Sequence, residues 1–170
     1  MDTLTLLCLS ILPAVAIAAA LKDLTTMTIP NWMSLVLIAA FFPTAWIVGI
    51  APMSVLVHVG VAVAALFVGA GMFALRWIGG GDAKLLAAAC LWMGLGGTLP
   101  FLLFTGMAGG VFCLALLSAR AQLPYAAGGP GWLSRLLTPK ADIPYGVAIA
   151  IGALMAFPMS PLVETFASGV

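Results

Sequence analysis

The sequence predicts an all-α membrane protein, a six-transmembrane-helix bundle with short loops. Three observations predict it: an apolar content far above that of soluble domains, charges gathered in a few short segments, and connections with room only for hairpins. Of 170 residues, 64% are hydrophobic and 6% charged, against roughly half and one quarter in an ordinary soluble domain. A spanning helix needs about 20 mostly apolar residues, so residues 1–170 form one integral membrane domain with no soluble domain of useful size.

Taken in order, the apolar runs give six spans, and the absence of water in lipid makes each a helix, because its amides must bond internally. The first, Leu4 to Leu21, stops at Lys22-Asp23. Ala16 to Ala20 imitates a signal-cleavage site, but Asp2 stands where a cleavable signal has Lys or Arg, so this span is expected to be retained. The second, Trp32 to Ile50, follows Ile29-Pro30-Asn31 and ends at the hairpin Ala51-Pro52-Met53; the third, Ser54 to Leu75, carries His58 and ends at Arg76. The fourth, Ala83 to Leu95, follows Gly79-Gly80-Gly81-Asp82 and ends at Gly96-Gly97-Thr98, read as a second hairpin. It is short, about 20 Å of helix against a core of about 30 Å, so its start is expected to be recessed; a re-entrant segment is the alternative. The fifth runs from Leu99 to Ala119 and the sixth from Ile143 to Leu162. Between them lies the one long loop, Arg120 to Asp142, with Pro124, Gly128, Gly129, Pro130 and Gly131 and then an interfacial helical turn or two at Trp132 to Leu137. That loop is the only one large enough to act as a lid.

With six spans, all the basic residues, Lys22, Arg76, Lys84, Arg120, Arg135 and Lys140, fall on one side, which the positive-inside rule makes cytoplasmic. Asp2 and Glu164 then lie at the opposite face. Trp32 and Trp77 sit beside the basic loops and Trp46 and Trp92 near the other helix ends, as an interfacial belt requires, although packing alone also accounts for them.

A net charge of +1 offers no basic patch for phosphates, so nucleic acid is excluded as a partner and the lipid bilayer is the medium. Cys8, Cys90 and Cys113 stand singly in apolar runs and read as small buried hydrophobes. Without Cys or His clusters at ligand spacing, no metal is expected, and no organic cofactor is needed.

The same topology brings Asp23, at the end of span one, and Asp82, at the start of span four, to the same interface. Two carboxylates sharing a site do not both ionise cheaply, so one keeps its proton while the other acts as a base. Such a pair activates water for attack on an amide carbonyl and then protonates the leaving nitrogen. Gly79, Gly80 and Gly81 remove side chains where a substrate backbone is expected to approach. Lys84 either favours the ionised Asp82 or faces phospholipid head groups. Taken singly, G-G-G-D before a helix is most often a turn with an N-cap Asp, and Lys22-Asp23 a boundary marker.

Together, Asp23 followed by Ile29-Pro30-Asn31, the G-x-G-D-x-K segment Gly79 to Lys84, and Ile143-Pro144-Tyr145-Gly146-Val147-Ala148 opening the last span resemble the type IV prepilin peptidases, the GxGD membrane aspartic peptidases. The chain's shortness and the I-P-Y-G-V-A segment look most like the TadV/CpaA branch that processes Flp-type pilins. The resemblance implies Asp23 and Asp82 as the catalytic pair, with Gly79, Gly81, Lys84, Pro30, Asn31 and Pro144 binding substrate or supporting the site. It further implies cleavage of a leader peptide, after a Gly, from pilin precursors at the cytoplasmic face of a bacterial inner membrane, with pilus assembly components as candidate partners. Larger relatives carry two C-x-x-C pairs and also methylate the new N-terminus; this sequence has no such pair, so peptidase activity alone is expected, without N-methyltransferase activity. Presenilin-like peptidases share G-x-G-D but place Tyr where this chain has Lys22 and rank below.

The opposing reading is a small polytopic transporter or a pilus-assembly scaffold without peptidase activity, with Asp23, Asp82 and His58 forming an ion path. A transporter is expected to show an inverted repeat, and the two halves do not correspond. His58, in mid-span, is read as a packed neutral imidazole rather than a catalytic group. Asp142 either binds substrate or caps the last span.

Overall fold

Amides in lipid bond within their own segment, and the described residues of the computed structural model, 3–122, 131–138 and 141–169, accordingly form an all-α bundle. Asp2, Pro124, Gly128, Gly129, Pro130 and Lys140 lie outside the described residues, as do residues 123–130 and 139–140 of the proposed lid as a whole. The first span is α1 (Thr3–Leu9) and α2 (Ile11–Thr26), broken at Ser10. Pro13 causes the break: it has no N–H to donate to the Leu9 carbonyl, and its ring crowds that oxygen. Helix α2 continues past Leu21, so Asp23 sits inside its last turn, which Met27 closes in a left-handed conformation with its N–H on the Asp23 carbonyl.

Helix α3 (Asn31–Val48) ends at Gly49, φ 86°, where Gly49 N–H donates to Trp46 O and Ile50 N–H to Ala45 O. That is a Schellman closure, and Pro52 then opens α4 (Pro52–Ala74) at its first helical position. The reversal expected around Ala51-Pro52-Met53 is therefore present. Helix α4 closes by the same pattern, Arg76 N–H on Phe73 O and Trp77 N–H on Met72 O. Here the left-handed position is held by Arg76, φ 59°, rather than by glycine, at a cost of roughly 1–2 kcal/mol.

Helix α5 (Gly80–Gln122) has 43 residues, and straight it would be about 65 Å long, twice the hydrocarbon core. It is turned back at one residue, Gly94, with φ 57° and ψ −166°. Ahead of Gly94, Ala83 packs on Gly69 and Leu91 on His58, so the first arm runs antiparallel to α4. Beyond it, Gly97 meets Ser160, Thr105 meets Gly152, Gly109 meets Ala148, and Arg120 reaches Ala141 and Asp142. The second arm thus returns to the end where α5 began. The second hairpin was expected at Gly96-Gly97-Thr98; those residues are helical, and the reversal lies earlier. Among the described residues, five helices have the length and composition to cross a membrane, and α5, folded on itself, supplies two arms, which preserves the six-span outline.

The first arm is the centre of the bundle: Leu85 and Ala87 through Gly94 are buried. Screened by neighbours rather than lipid, it need not reach both interfaces, which accounts for its shortness. Cys90 is fully buried there, as expected, whereas Cys8 and Cys113, expected to be buried too, are only half-buried. Trp92, expected in the interfacial belt, is instead fully buried and donates its Nε1–H to the Leu37 carbonyl at 2.9 Å. Trp32, Trp46 and Trp77 stay exposed. A seven-residue helix, α6 (Gly131–Leu137), stands where the interfacial turns were expected. The last span begins at α7 (Gly146–Ala156) rather than at Ile143, because Pro144 biases Ile143 away from helical geometry. It passes through a 3-10 turn, Phe157–Met159, into α8 (Pro161–Ser168), whose N-cap is Ser160.

His58 serves the reversal. Its Nδ1 lies 2.7 Å from the Leu91 carbonyl, and since a carbonyl only accepts, the imidazole is protonated at Nδ1. The non-helical torsions at Gly94 deprive the preceding turn of regular helical bonds, and His58 supplies a donor to it. A Cβ on Gly94 would lie 2.5 Å from His58 Cε1, so glycine there also makes room for the ring. His58→Ala leaves a buried acceptor unsatisfied, at about 1–3 kcal/mol. We expect the purified variant to unfold several degrees below wild type in a thermal melt in detergent; an unchanged melt would remove this role.

Candidate active site

Asp23 in the last turn of α2 and Asp82 in the first turn of α5 line one cavity of about 530 Å³ at the basic end of the bundle. The cavity is completed by the α4–α5 connection, with Arg76 and Trp77, and by the segment Ala141 to Tyr145, with Asp142 and Pro144. Asp23 is only 5% exposed.

Each carboxylate is held by a glycine amide. Gly146 N–H, at the start of α7 and 123 positions away in sequence, donates to Asp23 Oδ2 at 2.8 Å. Gly79 N–H donates to Asp82 Oδ2 at 3.1 Å. The glycines permit this approach: a Cβ on Gly146 would lie 2.9 Å from Asp23 Oδ2, and one on Gly79 would lie 2.8 Å from Asp82 Oδ2. Asp82 is the third helical residue, reaching back to the N–H of the residue before the helix, half of a capping box. It is therefore not the N-cap that a lone G-G-G-D suggests. Asp82 Oδ1 is buried with no hydrogen-bond partner among the described residues, an arrangement rare enough to call for an explanation.

Gly81 has a different task, for its Cβ would meet the Ile29 backbone oxygen at 3.0 Å. Gly79 thus admits the chain's own carboxylate, and Gly81 its own α2–α3 connection. Pro30 sets the extended entry to α3 (φ −65°, ψ 140°). Lys84 does not line the carboxylate cavity: its Nζ donates to Asn31 Oδ1 at 2.9 Å, on another face of α5. Of the residues singled out from sequence, Asp23, Asp82, Gly79 and Pro144 thus meet in one cavity, while Lys84 and Asn31 pair outside it.

Sequence reasoning missed three contributors. Gly146 was visible only as a letter in I-P-Y-G-V-A. Arg76 lines the cavity from a left-handed turn that a non-glycine residue rarely marks. Arg120 forks onto three carbonyls, Nε to Leu136, Nη1 to Ala141 and Nη2 to Asp142, at 2.9, 3.0 and 3.1 Å. It ties the Ala141 to Tyr145 wall and α6 to the end of α5, a task that needs the planar five-donor guanidinium.

A six-armed membrane bundle with two carboxylates facing one interfacial cavity is the general class that fold and site define. The sequence matches the type IV leader peptidase family over residues 10–114, a stretch that contains both aspartates. The chain belongs to that family, and is thereby a membrane peptidase of the leader-peptidase kind. No curated protein and no solved structure matches it.

Proposed function

We propose that the chain is an aspartic endopeptidase that removes the leader peptide from Flp-type pilin precursors at the cytoplasmic face of a bacterial inner membrane, in the TadV/CpaA branch of its family. The observation that carries this reading is the shared cavity of Asp23 and Asp82, each with one oxygen anchored by a glycine amide. In the proposed reaction one carboxylate takes a proton from water, whose oxygen attacks the scissile carbonyl carbon. The protonated partner polarises that carbonyl, and a proton is then delivered to the departing nitrogen as the C–N bond breaks. Asp82 Oδ1, free of other partners among the described residues, is the atom available to take and return a proton. No metal or cofactor enters the scheme, and no N-methyltransferase activity is proposed.

The substrate is itself a membrane segment, its leader entering the cavity while its apolar helix stays in lipid. Co-expression with a Flp-type precursor, followed by mass analysis of the product's N-terminus, tests the activity; a precursor left at full mass would end the reading. Sidedness follows from the basic residues, since Lys22, Arg76, Lys84, Arg120 and Arg135 all lie at the carboxylate end. Single cysteines placed at Ser134 should react with an impermeant maleimide only after the membrane is opened, and labelling of intact cells would reverse the topology.

A further inference from the structure

On another face of α5, α3 and α4 both lean on its first arm and leave a groove of about 470 Å³ between them. Lys84 and Asp82 are two residues apart, about 200° around the helix, so groove and carboxylate cavity diverge from a common end. Ile38 and Phe42 of α3, Val63 and Leu66 of α4, and Ala88 and Leu91 of α5 give it an apolar lining. Lys84 and Asn31 close it at the basic end.

Its dimensions select the occupant. From Asn31 to Phe42 the wall rises about 16 Å at 1.5 Å per residue, half of a core of about 30 Å. The groove therefore runs from the interface to the midplane, the depth of one leaflet. A helix about 10 Å across takes up about 120 Å³ per residue, so the groove would hold roughly one turn of a partner helix. A single acyl chain is narrower and has the matching length.

The polar groups agree. The Lys84 ammonium has three protons, one given to Asn31 Oδ1 at 2.9 Å, which leaves two for an anion at the headgroup level. One turn deeper, Ser34 lines the groove, is 5% exposed, and its Oγ has no hydrogen-bond partner among the described residues. We infer that this groove is a binding site for one acyl chain of an anionic phospholipid, with the headgroup phosphate on Lys84 and an ester carbonyl within reach of the Ser34 hydroxyl.

Native mass spectrometry of the purified full-length chain, titrated with dioleoyl phosphatidylglycerol or dioleoyl phosphatidylcholine, tests this. Wild type should retain the anionic lipid about fivefold more tightly, the factor one lysine carries at an anionic surface. Lys84→Gln should bind the two equally, and Lys84→Arg should keep the preference. Ala62→Phe, which fills the groove from α4, should lose both lipids while keeping its helical circular dichroism. Inorganic phosphate at millimolar concentration should displace neither, because the acyl chain supplies most of the hold. A photo-crosslinker at Val63 should label lipid. Equal retention by wild type, a preference surviving Lys84→Gln, unchanged binding by Ala62→Phe, displacement by phosphate, or crosslinks to a second copy or a pilin precursor would each overturn the assignment.

Discussion

Asp23→Asn and Asp82→Asn should each abolish cleavage of the pilin precursor, with a loss of at least about 100-fold, the low end of what a positioned proton-transfer group supplies. The amide keeps the shape of the carboxyl but neither takes nor returns a proton. The fold should survive, because each carboxylate's anchor is an acceptor bond from a backbone N–H, which the Asn carbonyl oxygen can replace. The two variants therefore separate chemistry from structure. The measurement is precursor processing in membranes beside the expression level and detergent melt of each variant. A scaffold or transporter predicts normal processing from both variants, and normal processing from either would end the peptidase reading. Asp142→Asn, on the same cavity wall but with its backbone rather than its side chain held by Arg120, should retain partial activity.

Gly152→Ala should prevent accumulation of folded protein. At this crossing of α7 with the second arm of α5, an added Cβ would collide with Thr105 Oγ1 and would stand 2.7 Å from the Thr105 backbone nitrogen and 2.9 Å from its Cα. Membrane helices associate through such small-residue contacts, because lipid offers no hydrophobic drive for packing. Overpacking a core ordinarily costs about 1–3 kcal/mol, and a collision with backbone has no rotamer to relieve it. The double variant Gly152→Ala with Thr105→Ala discriminates: it removes the hydroxyl but not the backbone clash, so it should rescue little. Full rescue would show that the side chain alone sets the spacing. Gly106→Ala, where an added Cβ meets nothing within 4 Å, is the control that should behave as wild type.

The outline of the molecule was legible because lipid leaves the chain few options: apolar runs became helices, the basic residues marked one end, and the shared end brought Asp23 and Asp82 together. What was not legible depended on contacts distant in sequence. The Gly146 amide reaches Asp23 across 123 positions, and no local pattern announces a donor that far away. The reversal was misplaced because Gly96, Gly97 and Thr98 make a stronger local turn signal than a lone Gly94, yet only Gly94 takes a positive φ in this region. Gly97 is instead spent on the close pass of Ser160. Trp92 was misread for a related reason: proximity to a helix end suggested an interface, whereas the end itself is buried. Lys84 was read either as favouring the ionised Asp82 or as facing phospholipid head groups; its bond to Asn31, distant in sequence, holds it outside the carboxylate cavity.

The turn at Gly94 has a consequence for how the protein enters the membrane. A first arm of Gly80 to Met93 is too short to be recognised as a spanning segment by itself, and no hydrophilic loop follows it that would have to be passed through the bilayer and left outside. The two arms of α5 can therefore partition into lipid together as a helical hairpin, in one event rather than two. On the proposed topology, Asp82 and Arg120, at the open ends of that hairpin, would remain on the side of synthesis. Delivery of the Asp82 carboxylate to the face that holds Asp23 would thus be settled during insertion, before the bundle has closed.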